Sequence, residues 1–496
     1  MTSARTELVT RQPLRLSPDP ARVIAQLFVP GQEGFEVQES RAGLVLSRIL
    51  ALTDDDVRES LHDVLTRFLG RHRDLQSTFR RHANELADRL DADHEYTESR
   101  MLLLGATFTN EYAIEGAALC NPSMVAHPDQ TGIAAGSLRF VMSVRGIGEG
   151  HRSSIGFRTG VVDPAGHVTV DATTPFASTG RIDGALLDAL VFRVELGSQG
   201  YAGESSDYVF TALGDLFTRS DLDERLDSLR AHLRTRGHAE DTIALIRGIA
   251  ERCYAIEFPA AVPLSERVLW PSMEAERAGM EDARFVRFVE DDGSVTYYAT
   301  YTAYSGSHIS QQMLQTTDFR SFNSVPLVGR AAANKGLALF PRRINGRYAA
   351  MSRSDRETNT VAFADHLSVW TSAAPCQQPT ESWETLQLGN CGPPIETDAG
   401  WLVLTHGVGP MRTYSIGAIL LDLDDPTRVI GRLRRPLLTP SANEQDGYVP
   451  NVVYSCGALR HAETLVIPYG IADSAIGIAT VSLPDLLAEM SNHASR

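Results

Sequence analysis

At 496 residues, 43% of them hydrophobic, the chain is long enough to bury a sizeable core in one large domain with appended structure. A formal charge of −16 argues against nucleic acid or an anionic membrane as a partner, since both require clustered Lys and Arg on an exposed face. The five cysteines, Cys120, Cys253, Cys376, Cys391 and Cys456, are widely spread, with no CxxC pair and no accompanying His pattern. This spacing favours neither a disulfide framework nor a zinc site, and no metal or cofactor is expected. The N-terminus lacks the charged-then-apolar layout of a signal peptide, and no window reaches the ~18 apolar residues of a spanning helix. A soluble, cytoplasmic protein is the expectation.

From about residue 20 to 89 the apolar spacing is helical, in ARVIAQLFV, LVLSRILALTDDDVRESLHDVLTRFLG and LQSTFRRHANELADRL. Thr53 followed by Asp56 reads as a helix-starting box. Residues 1–101 are therefore expected to form a helical extension whose amphipathic faces pack on the main domain or on a second copy of the chain.

Beyond about residue 102 the texture becomes short β-type runs separated by Gly, Asp and Asn, including LRFVMSVRG, ARFVRFVEDDGSVTYYATYTAY, LALFPRRINGRYAAMSR, WLVLTHGVG and IGIATVSL. EDDGS and INGR have the composition of hairpin turns. Five block openings, CNPSMV, MEDARFV, NKGLALF, NCGPPIE and VPNVVYS, each run into a second strand, and the last four recur at ~50 to 60 residues. The expected fold is mainly β: a five-bladed β-propeller over 102–490, with a helical insertion at 183–252 marked by GALLDALVFRVEL and LDERLDSLRAHLRTRG.

A propeller gathers the starts of its blades around a central funnel, so the block openings are where chemistry is sought. There, in order, the strings EGAALCNPSMV, MEDARFV, NKGLALFPRRINGRY, GWLVLTHGVG, YSIGAILLDLDDP and YGIADSAIGIAT resemble the successive blade motifs of glycoside hydrolase family 130, over about residues 110–483. The resemblance implies an inverting enzyme acting on β-mannosides, by phosphorolysis in most members and by hydrolysis in some. It implies that Asp282 is the general acid, reaching the leaving oxygen through the sugar's 3-hydroxyl. It further implies that Lys335, Arg353, His406 and Tyr414 contact phosphate, and that Asn121, Arg145, Asp355 and Asp473 surround the mannosyl unit. The implied partners are a small carbohydrate and inorganic phosphate as co-substrate.

The chemistry of the two reactions differs in one respect. An inverting hydrolase needs a second carboxylate to activate water, whereas a phosphorylase needs positive groups to hold an anion that is already a nucleophile. Glu396 and Glu149 are the carboxylates weighed as a hydrolytic base. Glu281, adjacent to Asp282, is expected to face away from it by strand alternation. The plainer alternatives are a turn-capping Asp282, a solvated Lys335 and a hydrogen-bonded core His406. A non-catalytic carbohydrate-binding propeller is the third reading. Ala283 stands where many family members have Pro, and Cys456 where an acidic or small residue is expected.

Overall fold

The computed structural model describes residues 8–30, 39–91, 93–231 and 239–491. The chain divides into two compact units, one of residues 1–18, 117–173 and 179–496, the other of Asp19–Gly116 with Thr174–Ser178.

The smaller unit is helical. Helices Glu39–Leu50, Asp54–Phe68, Leu75–Glu85 and Glu98–Thr107 bury Leu46, Ile49, Leu61, Phe79, Leu102 and Leu104. Thr53 caps the second helix with the expected reciprocal box to Asp56. Gly105 lets the last helix lie directly on the third, because a Cβ there would fall 1.8 Å from the Phe79 carbonyl oxygen. One segment departs from the expectation: ARVIAQLFV contains the strand Val23–Leu27, paired antiparallel with Thr109–Ala113. Its β-branched Val23 and Ile24 suit a strand, and the partner that decides the matter lies far along the chain.

The larger unit is mainly β, and its strands fall into five antiparallel groups. The first comprises Ala118–Ala126, Leu138–Ile147, Ser153–Val162 and Val168–Val170. The second runs Gly279–Val289, Val295–Tyr304, Ile309–Thr316 and Ser321–Pro326, extended by Tyr254–Glu257 and Arg181–Gly184. Its strand Gly279–Val289 pairs with the first group at one parallel residue pair, Ser153 with Gly279. Ala338–Leu339, Tyr348–Ser352, Asn359–Ala364 and Ala373–Gln377 make the third. In the fourth, Gly400–Val408 pairs with Gln387–Asn390, Ile395–Thr397 and Tyr414–Leu421, and Val429–Arg432 follows. The fifth holds Val453–Tyr454, Leu459–His461, Thr464–Ile471 and Ala475–Ser482, and is completed by the N-terminal strand Val9–Leu16, which sets Val9 opposite Val481. The N-terminal residues are thus not all helical extension: this strand belongs to the β unit.

Apolar cores lie between consecutive groups. Phe157 and Val141 meet Phe285 and Tyr297; Phe288 and Tyr298 meet Leu339 and Ala350; Met351 and Val361 meet Trp401 and Ile419. Leu404 and Ile416 meet Leu465 and Ile467, and Val466 and Ile478 of the last group meet Leu119 and Phe140 of the first. Burial on both faces explains why Gly400–Val408 reads as a continuous apolar run, since all nine of its residues are buried. Phe340 packs edge-on against the fully buried Trp401 at 5.1 Å, a contact worth about 1 kcal/mol beyond the area it buries.

Both turns read from sequence close hairpins. Gly293 sits at φ 85° in EDDGS, and Asn345 and Gly346 at 52° and 77° in INGR; positive φ at both central residues is the twist-matched hairpin geometry. Helices Ala189–Ser198, Glu204–Phe210, Arg219–Ala231 and Ala239–Glu251 form the insertion and bury Phe192, Phe210, Leu222, Leu226 and Ile246 together. The end of LDERLDSLRAHLRTRG lies outside the described residues. Among those residues no helix is long and apolar enough to cross a membrane.

Candidate active site

Two of the block openings carry the same irregularity. In Gly279–Val289 the pairing slips between Glu281 and Arg284, and in Ala118–Ala126 between Cys120 and Ser123. The displaced residues, Asp282 and Asn121, take left-handed backbone at φ 56° and 46°. Asn334 and Asn451 do likewise at 63° and 61° in the third and fifth openings. Asn and Asp tolerate this conformation better than other non-glycine residues, and a bulge re-aims the side chain it displaces.

These bulges, with the hairpin ends beside them, line a pocket of ≈ 180 Å³. Asn121, Arg145, Asp282, Lys335, Arg353, His406, Tyr414 and Asp473 all reach it, together with Arg284, Gln387, Arg412, Val449, Val452 and Tyr454. Of the residues the family resemblance selected, Asp355 alone is not in the lining. It is exposed, and its carboxylate accepts from the backbone N–H groups of Glu357 and Thr358 at 3.0 and 2.9 Å. That turn engages Asp355 outside the pocket lining.

Asp282 is held firmly. Its Oδ1 accepts from Asn121 Nδ2 at 2.6 Å and from Arg145 Nη1 at 3.4 Å, while Arg284 Nη1 donates to the Asp282 backbone carbonyl at 3.0 Å. Burial would raise its carboxyl pKa, but Arg145, Lys335 and Arg284, with the Asn121 hydrogen bond, bring it down to about 2. Glu281 does not face away as strand alternation predicted: it accepts from the other end of the same guanidinium, Arg145 Nη2, at 2.6 Å. The bulge that displaces Asp282 also breaks the alternation on which that expectation rested.

Across the pocket Arg353 Nη1 donates to His406 Nε2 at 3.1 Å, and the His406 and Tyr414 rings lie 6.2 Å apart and nearly parallel. His406 is buried, and burial together with Arg353 and Arg284 drives its pKa well below the usual range, leaving a neutral imidazole. Gly389 makes this contact sterically possible. A Cβ there would stand 2.5 Å from His406 Cε1 and 2.8 Å from Arg353 Nη1.

Asp473 sits in left-handed backbone at φ 48°, at the turn between Thr464–Ile471 and Ala475–Ser482. Burial raises its carboxyl to about 6; Arg145 opposes the shift and Asp282 adds to it. A carboxyl raised in the folded state contributes stability that is present below its unfolded value near ~4 and lost as pH rises through about 6. Asp473→Asn is accordingly expected to gain stability over wild type, on the order of 2 kcal/mol at pH 8, and almost none at pH 4. Thermal melts at the two pH values check this, and an equal gain at both would contradict it.

Sequence reasoning missed Arg284, Arg412 and Tyr454. Arg284 is buried and bridges the Asp282 carbonyl to the Tyr454 hydroxyl, 2.8 Å from its Nη2. A signal for it was present, since it stands two residues beyond Asp282 in MEDARF. The acidic candidates Glu396 and Glu149 do not line the pocket. Glu396 is 44% exposed and pairs with Arg342 at 2.7 Å, and Glu149 is exposed in a hairpin loop. Cys456 is buried and its thiol is pushed well above its ordinary value by that burial, which removes it as a nucleophile.

Comparison with known proteins matches residues 230–492 to a family model described as beta-1,4-mannooligosaccharide phosphorylase. Asp282, Lys335, Arg353, His406, Tyr414 and Asp473 of the pocket lining fall within that span, and Asn121 and Arg145 precede it. A 1,2-beta-oligomannan phosphorylase of Thermoanaerobacter sp. is 34% identical over 227 residues, covering 45% of this chain and 75% of that protein. A beta-1,2-mannobiose phosphorylase of Listeria innocua is 30% identical over 235 residues, covering 45% of this chain and 63% of its own. The solved structure of a Listeria innocua beta-1,2-mannobiose phosphorylase in complex with beta-1,2-mannobiose aligns over 75% of this chain and 94% of that one, at 21% identity and a TM-score of 0.45. The family model covers more than half of the chain and the Thermoanaerobacter relative is spanned over three quarters of its length, so the chain belongs to glycoside hydrolase family 130.

Proposed function

We propose that this protein is an inverting β-mannoside phosphorylase, which takes a β-mannoside and inorganic phosphate to α-mannose 1-phosphate and the released sugar. The observation that carries the reading is a buried carboxylate facing a pocket with five cationic side chains, Arg145, Arg284, Lys335, Arg353 and Arg412. Such a site supplies an acid and an anion cradle. An inverting hydrolase would need a water-activating carboxylate, and the two weighed for that task lie outside the pocket. The carbohydrate-binding reading leaves the buried acid and its cations without a purpose.

In this mechanism Arg353 and Lys335 carry the charge that meets phosphate, and Tyr414 adds a hydroxyl donor. His406, kept neutral, orients Arg353. A phosphate oxygen attacks the anomeric carbon as the glycosidic C–O bond breaks. The proton of Asp282 passes to the departing oxygen through the sugar's 3-hydroxyl, and Asp282 is left ionised. In the free site Asp282 is already ionised, because the cations hold it so. Bound phosphate neutralises those cations, and Asp282 takes up the proton it must later donate. Sheet groups whose cores pair in succession, the last with the first, support a five-bladed propeller around this pocket.

The reverse reaction tests stereochemistry directly. Given α-mannose 1-phosphate and mannose, the enzyme is expected to release inorganic phosphate and form a β-linked disaccharide. Equal phosphate release from the β-anomer would contradict inversion.

A further inference from the structure

Two hairpin loops on different sheet groups share one backbone. The loop after Leu138–Ile147 begins with Gly148 at φ −115°, ψ −155°, and the loop after Gly400–Val408 with Gly409 at φ −112°, ψ −159°. Gly148 N–H donates to the Arg152 carbonyl at 3.1 Å, and Gly409 N–H to the Thr413 carbonyl at 3.0 Å. Each loop then sets two successive residues in left-handed backbone, Gly150 and His151 at 65° and 62°, Met411 and Arg412 at 57° and 54°. His151 therefore holds on its hairpin the position that Arg412, a pocket residue, holds on the other.

His151 meets Tyr448. Their rings stack at 5.4 Å with an interplanar angle of 17°, and His151 Nδ1 and the Tyr448 hydroxyl share a hydrogen bond. Tyr448 is tied to the pocket wall: its N–H donates to Ser474 Oγ at 2.6 Å, next to Asp473. Its neighbour Val449 lines the pocket and donates to the Ala472 carbonyl at 2.9 Å. On the other side of the loop Arg152 lies over Trp270, 5.6 Å from the ring centroid. Yet Tyr448 is 45% exposed. Left-handed backbone is strained for a non-glycine residue, and here it presents a solvent-facing aromatic pair next to Val449 of the pocket lining.

We propose that His151 and Tyr448 form a platform for the acceptor sugar, the hexose on the leaving-group side of the cleaved bond, entering on the Asp473 side. The apolar C–H face of a pyranose packs on an aromatic ring, while the phenol and imidazole edges satisfy its hydroxyls. A ring already held by a hydrogen bond and a stack loses little entropy on binding. The platform rests on the phosphorylase reading for the identity of its ligand.

Calorimetric titration of β-1,2- and β-1,4-mannobiose into phosphate-free wild type, Tyr448→Ala and Tyr448→Phe tests it without turnover. For the disaccharide that wild type binds more tightly, Tyr448→Ala is expected to raise Kd about tenfold, and Tyr448→Phe, which keeps the stacking ring but loses the hydroxyl, to raise it by a smaller factor. Affinity for mannose 1-phosphate, which lacks the acceptor unit, should be the same in all three and shows that the variants are folded. Equal mannobiose Kd values in wild type and Tyr448→Ala would overturn the platform. A wild type that binds mannobiose but yields no mannose 1-phosphate with phosphate would overturn the phosphorylase reading alone, and one that binds neither disaccharide would overturn both.

Discussion

Replacing Asp282 with Asn is expected to lower turnover by about 10³-fold while the protein stays folded, because the amide keeps the shape of the group but has no proton to give. The side chain sits in a closed network, accepting from Asn121 and Arg145 with Arg284 on its carbonyl, so the exchange also carries a stability cost. A carboxyl depressed to about 2 contributes stability that is present above its unfolded value near ~4 and lost as pH falls toward 2. Its removal should cost on the order of 2 kcal/mol at neutral pH and progressively less in acid. The same variant reports on how the acid is armed. Phosphate binding should draw more protons from solution in wild type than in Asp282→Asn, as read by calorimetry in buffers of different ionisation enthalpy. Identical proton uptake in the two proteins would mean that phosphate does not protonate Asp282.

Substitution at Gly389 should weaken phosphate use almost as much as substitution at Arg353 itself. Gly389→Ala places a methyl group inside contact distance of both Arg353 and His406, and neither can retreat far from a buried strand pair. Arg353→Lys keeps the charge but loses the planar fork that can serve His406 and a phosphate oxygen together. Loss of one charge-assisted hydrogen bond corresponds to about 1.5 to 3 kcal/mol, so KM for phosphate is expected to rise at least about tenfold in each variant. Mannoside binding without phosphate should change little. A rise in mannoside Kd with phosphate KM unaltered would move Arg353 and His406 out of the phosphate site.

Much of this site was legible because its residues are chemically unusual at their positions. Asn121 and Asp282 stand in the openings of blocks that repeat, and the structure gives both the same bulge and the same left-handed backbone. Lys335, Arg353, His406 and Tyr414 came from the family resemblance, and the fold brings all four to one pocket. What was hidden depends on contacts that no local pattern encodes. The strand Val9–Leu16 is completed by a partner at the opposite end of the chain, so its short run in front of a helical stretch gave no sign of its place. Tyr454 joins the site through partners on other sheet groups: Arg284 reaches its hydroxyl, and the His406 ring meets it edge-on at 5.0 Å. Asp355 was selected by position in a motif, but a carboxylate two and three residues before free backbone N–H groups satisfies them first. The shared loop of RGIGEGHRS and HGVGPMRTY was legible in principle from its G-x-G spacing, and only the backbone angles make the equivalence plain.

The most direct test of the account is incubation of the purified protein with β-1,2- and β-1,4-mannosyl disaccharides, with and without inorganic phosphate, assayed separately for mannose 1-phosphate and free mannose. Mannose 1-phosphate is expected from at least one disaccharide, only when phosphate is present. Free mannose at the same rate in both arms would contradict it.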